Sequence, residues 1–102
     1  MRPGLASAVI RWAVFRQFRR ALRAGTLDPA KTFFDAGGDS LMAVELLAAV
    51  RYVFEVELPI ENLISDELGK LALFVIASTP AGVPDILLRQ LRVRRGATPD
   101  PS

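Results

Sequence analysis

The chain has 102 residues, 51% of them apolar, a net charge of +2, and neither cysteine nor histidine. That length makes one small domain, and the apolar fraction argues against wholesale disorder. Without cysteine there are no disulfides and no thiolate metal sites; without histidine there is no usual general base, no usual zinc ligand and no Ser-His-Asp triad. No apolar run approaches the roughly 18–20 residues of a membrane span. Arg11 interrupts the N-terminal apolar stretch, so no signal peptide is expected and the cytoplasm is the expected compartment. Met1 and the small size lean toward a free-standing protein.

The charge is segregated. Residues 1–31 carry seven basic groups against Asp28, residues 32–77 carry eight acids against Arg51 and Lys70, and residues 78–102 carry four arginines against two aspartates. Two readings follow. The faces of one bundle complement each other and stay solvated, or a basic helix meets an acidic partner.

The first predicted element is a helix over 5–23. Ile10, Val14, Phe18, Ala21 and Leu22 share one face at helical spacing, and Arg16, Arg19, Arg20 and Arg23 share the opposite one. Trp12 lies near the arginine face and is expected to pack over arginine stems. Ala24-Gly25 ends the helix, with Gly25 suited to a left-handed cap. A long connection over 25–39 follows, with a turn at Asp28-Pro29. It holds Phe33 and Phe34, of which at least one should be buried and pin the loop. Loops longer than about 12–15 residues are usually functional or disordered, and the two phenylalanines argue for function.

A second helix is predicted from Ser40 to Phe54, with Ala43, Leu46, Leu47, Val50, Val53 and Phe54 inward. Leu41, Val44 and Ala48 project outward close to Ser40, either as a margin of the core or as a docking surface. Glu55 to Pro59 is an extended connector, and Ile60 to Ile64 gives about one helical turn. Ser65-Asp66 is expected to cap a last domain helix running to Ala77, with Leu68, Leu71, Ala72, Val75 and Ile76 inward. Residues 79–84 read as a linker, 85–95 as a short amphipathic helix, and 96–102 as disordered. The fold class is therefore all-α: a domain over 5–78 with four helices, three longer and a short third one, and a tail over 79–102.

The stretch Phe33-Phe34-Asp35-Ala36-Gly37-Gly38-Asp39-Ser40-Leu41 carries the chemistry. A serine there sits where a turn becomes a helix N-terminus, with an exposed hydroxyl and backbone N–H groups that favour a phosphate. Asp39-Ser40 follows the glycines where a Walker A loop needs Lys-Ser/Thr, and no G-x-S-x-G elbow is present. Asp35 and Asp39 alone are a weak cation signal, and the basic first helix has no nucleic-acid reading motif. Such a serine suits modification rather than attack.

This motif resembles the core motif of the peptidyl carrier proteins of non-ribosomal peptide synthesis, within the acyl carrier protein superfamily. Phe18 and Leu22, Ala43 and Leu46, Val56 to Ile60, and Leu71-Ala72 extend the resemblance over roughly residues 10–77. The resemblance implies that Ser40 accepts 4'-phosphopantetheine from coenzyme A through a phosphopantetheinyl transferase. The thiol of that arm then carries an aminoacyl or peptidyl group as a thioester. It implies that Gly38 and Asp39 flank the attachment point, Gly37 and Gly38 admitting another protein's active site and Asp39 meeting a transferase-bound metal or capping the second helix. It implies docking at Leu41, Val44, Ala48, Ile60 and Leu63. The implied partners are the transferase, an adenylation or other loading enzyme, and condensation, tailoring or thioesterase enzymes in secondary-metabolite (antibiotic) biosynthesis. The chain itself is then a carrier and no enzyme, a monomer bound to neither nucleic acid nor membrane, with no metal of its own. Three departures stand out: Asp66-Glu67 replaces the family's frequent Pro-Thr, the first helix is strongly basic and begins unusually far upstream, and Val44-Glu45-Leu46 is more like the acyl carriers of fatty-acid and polyketide synthesis. The alternatives are thus an acyl carrier and, in another class, a helical interaction domain without a prosthetic group.

Overall fold

The computed structural model describes residues 3–93, and these form five helices and no strand. They are α1 (Pro3–Leu22), α2 (Ser40–Phe54), α3 (Ile60–Ser65), α4 (Leu68–Ser78) and α5 (Val83–Gln90). The all-α class holds, and a fifth helix joins the expected four. The expectation for residues 96–102 lies outside the described residues.

α1 is the central strut, touching α2, α4 and α5, while α2 also touches α5. Its buried side is Ala13, Val14, Phe18, Ala21 and Leu22. These pack with Ala43, Leu46, Ala49, Val50, Val53 and Phe54 of α2 and with Leu68, Leu71, Ala72 and Val75 of α4. Leu47, expected inside, is only half-buried, and Ala49 takes the inward place. Gly25 does not form the left-handed turn after α1. That conformation falls on Arg23, at φ 56°, two residues earlier.

The loop from 23 to 39 is anchored at three points. Phe33 is fully buried and meets the half-buried Phe34 edge-on, with ring centroids 5.5 Å apart. The carbonyls of Pro29 and Lys31 accept from the N–H groups of Gly69 and Leu68, each at 2.9 Å. The first turn of α4 is therefore capped by loop backbone rather than by a side chain. This corrects the expected Ser65-Asp66 cap: the N-cap is Glu67, without a side-chain hydrogen bond, and Asp66 instead ends α3, accepting from Asn62 Nδ2 at 2.9 Å.

The helix expected over 85–95 runs from Val83 to Gln90 and packs into the bundle. Ile86 is fully buried, Gln17 Nε2 donates to Gln90 Oε1 at 2.8 Å, and Arg20 donates to the Val93 carbonyl. Arg89 pairs with Glu55 at 2.8 Å, just past the end of α2. Arg20 thus turns from the solvent face toward α5. The preceding segment is tied as well, because Thr79 Oγ1 donates to the Phe54 carbonyl at 2.6 Å.

Candidate functional site

Residues 32–38 fold into a tight set of turns ahead of α2. Asp35 N–H donates to Thr32 Oγ1, Ala36 N–H to the Thr32 carbonyl, Gly37 N–H to that of Phe34, and Gly38 N–H to that of Phe33. The two glycines have different causes. Gly37 has φ +106°, a region closed to most L-residues. Gly38 lies against Phe33: a Cβ there would fall 2.3 Å from Phe33 Cε2 and 2.8 Å from its carbonyl oxygen. Both are thus required by the domain's own turn. The close approach of a partner's active site, read from the sequence, is not needed to explain them.

Asp39 is the N-cap of α2. Its backbone is extended, its Oδ1 accepts from Met42 N–H at 2.8 Å, and its carbonyl accepts from Ala43 N–H at 2.9 Å. The capping role read from the sequence is therefore present. Ser40 follows as the first helical residue, exposed, its hydroxyl in no hydrogen bond among the described residues. The positive end of the α2 dipole and the unpaired N–H groups of its first turn surround the hydroxyl with a field that favours a phosphate ester. The chain has no imidazole and no thiol to stand beside this oxygen as a base.

On the outer side of α2, Leu41 is 66% and Val44 58% exposed, and Ala48 is half-buried. Ile60 of α3 is exposed as well. Leu63, expected among the docking residues, is fully buried in the core and cannot serve there. A six-residue helix turned one way sends Leu63 inward and keeps Ile60 and Ile64, four apart, outward. Ile64, 57% exposed, is the apolar residue that α3 offers instead. The i, i+4 spacing from Ile60 was the signal that could have found it. A shallow groove lined by Leu47, Ala48, Arg51, Glu57, Leu58 and Pro59 separates α2 from the start of α3. Arg51 and Glu57 bridge it at 2.9 Å, but both are so exposed that the pair adds little stability. Among the described residues no group of three or more potential ligands could hold a metal ion, and no helix is long and apolar enough to cross a membrane.

Comparison with known proteins gives one positive finding. The family described as a phosphopantetheine attachment site matches residues 13–75. That span begins inside α1, includes the turn, Ser40 and α3, and ends in α4. No curated protein and no solved structure matches the chain.

Proposed function

The chain belongs to the phosphopantetheine attachment family, and on that premise we propose that Ser40 is the residue that bears the arm. Proteins of this family carry 4'-phosphopantetheine covalently on a serine, placed there by a transferase, and act as carriers rather than catalysts. The observation that supports Ser40 is positional. Within residues 13–75 the serines are Ser40 and Ser65. Ser65 Oγ is engaged with the Glu61 carbonyl at 2.9 Å at the end of a helix, where the dipole disfavours an anion. Ser40 has a disengaged hydroxyl at a helix start.

The division of labour among the chain's residues follows. Phe33 and Gly38 fix the turn, Asp39 starts the helix, and α2 holds Ser40 at its positive end. The arm supplies the thiol that the chain lacks, on which cargo is carried as a thioester. Leu41 and Val44, apolar and exposed beside Ser40, offer a partner enzyme the centre of an interface. The cargo class we propose is aminoacyl or peptidyl, in non-ribosomal peptide synthesis, because residues 33–41 resemble the core motif of the peptidyl carriers. The triplet Val44-Glu45-Leu46 favours a second reading, an acyl carrier of polyketide or fatty-acid synthesis.

The test is intact-mass measurement after incubation with coenzyme A and a broad-specificity phosphopantetheinyl transferase. One arm per chain is expected, and none on Ser40→Ala. An unmodified parent beside a loaded control carrier, or an arm persisting on the variant, would overturn the assignment. A second measurement probes the outer side of α2. Val44→Asp is expected to leave the melting temperature nearly unchanged, since the side chain is exposed, and to lower the transferase's kcat/KM by about tenfold. An unchanged kcat/KM would remove Val44 from the docking surface.

A further inference from the structure

α1 has two sides with different fates. One is spent in the core through Ala13, Val14, Phe18, Ala21 and Leu22. The other carries Leu5, Trp12, Arg16 and Arg19 at spacings of seven, four and three residues, which lines them up as a single stripe, and Arg23 follows just past the end of the helix. Leu5 is 71% and Trp12 51% exposed, so the N-terminal half of the stripe is apolar and its C-terminal half basic. The basic half borders a shallow concavity lined by Arg16, Arg19, Arg20, Arg23 and Ala24.

Among the described residues, the charges of this stripe meet no carboxylate. The ion pairs Arg51–Glu57, Lys70–Asp66 and Arg89–Glu55 all join later parts of the chain. Arg11, Arg16, Arg19 and Arg23 have no carboxylate within ion-pair distance among the described residues. Arg16 lies 5.9 Å from the Trp12 ring centroid and Arg11 4.8 Å from that of Phe15. Stacked in this way, a guanidinium keeps N–H groups available to carboxylates. These four arginines are therefore available to carboxylates from outside the described residues.

We propose that this outward side of α1 is a second docking surface, separate from the Ser40 side of α2, for an acidic protein segment that also carries apolar side chains. Its carboxylates meet the forks of Arg16, Arg19 and Arg23, and its apolar residues cover Trp12 and Leu5. Exposed Trp and Arg are the residue types that dominate interface energetics when a partner covers them. An anionic lipid surface is a poorer occupant, because the apolar side of α1 is already buried and, among the described residues of its outward side, Leu5 and Trp12 are the large apolar ones left to insert. Nucleic acid is opposed by the acidic stretch at 32–77.

The full chain is titrated into a fluorescein-labelled helical peptide of Glu and Leu, with a Lys/Leu peptide, anionic phosphatidylglycerol vesicles and a short DNA duplex as comparators. Anisotropy should rise with the Glu/Leu peptide, and emission of Trp12, the chain's one tryptophan, should shift. The double variant Arg16→Glu with Arg19→Glu, checked by its melting curve, should bind at least about tenfold more weakly. No rise, or equal binding by the double variant, overturns the proposal. So does tighter binding of vesicles or DNA, or self-association of the chain that the double variant abolishes. The experiment uses neither coenzyme A nor Ser40, so its failure leaves the carrier reading untouched.

Discussion

Leu46→Asp is expected to leave the chain without a cooperative melt at room temperature. Leu46 is fully buried in α2, among the side chains of the central core. Removing a buried leucine costs about 2–5 kcal/mol. A carboxylate in its place has no partner and adds several kcal/mol more, whether it stays ionised or takes up a proton. A domain of this size has about 5–10 kcal/mol in all. Far-UV circular dichroism and a thermal scan check the outcome. A folded, cooperative variant would mean that α2 packs through another side. The contrast with Val44→Asp is the informative part: the same new charge, two residues away on the same helix, is expected to be silent in the melt.

Gly38→Ala should have the second largest effect, although it adds one methyl group. That carbon would lie 2.3 and 2.5 Å from two atoms of the Phe33 ring and 2.8 Å from the Phe33 carbonyl oxygen, far inside contact distance. Either the ring leaves the core or the Gly38 N–H to Phe33 carbonyl bond, now 3.0 Å, opens. A loss of about 2–4 kcal/mol is expected in denaturant unfolding, within the range for overpacked sites and buried phenylalanines. Arm transfer to Ser40 should slow as well, because this turn places the serine. Gly25→Ala is the control: nothing lies within 4 Å of its would-be Cβ, and stability should barely change. Equal effects at the two positions would mean that Gly38 is not held against Phe33.

What could be read in advance followed the range of the interactions involved. α2 was legible from Ser40 to Phe54 because its cap, Asp39, is adjacent and its apolar period runs four turns. Phe33 was legible because a large aromatic in a loop has nowhere favourable to go but inward. α4 was misjudged at its start because its cap comes from carbonyls at Pro29 and Lys31, nearly forty residues earlier. Leu63 was misplaced because six residues give less than two turns, too few for periodicity to fix a face. The docking of α5 was invisible for a similar reason. It depends on Gln17 meeting Gln90 across the bundle, and a lone glutamine on a basic helix gives no hint of burial. The reason for Gly38 was also hidden, since a close contact between a glycine and a ring five residues away is a matter of three-dimensional turn shape.

The anchoring of the loop before α2 sets where the chain length can change. Surface connections ordinarily absorb insertions and deletions with ease. Here Pro29 and Lys31 are bonded to the first turn of α4, Phe33 is in the core, and Gly38 is bonded back to Phe33. Adding or removing a residue anywhere from 29 to 39 shifts one of these anchors out of register. Gly25 and Thr26, exposed and outside all of these bonds, are the slack. Length differences among homologous chains should therefore gather at Gly25 and Thr26, while the ten residues before Ser40 keep their count.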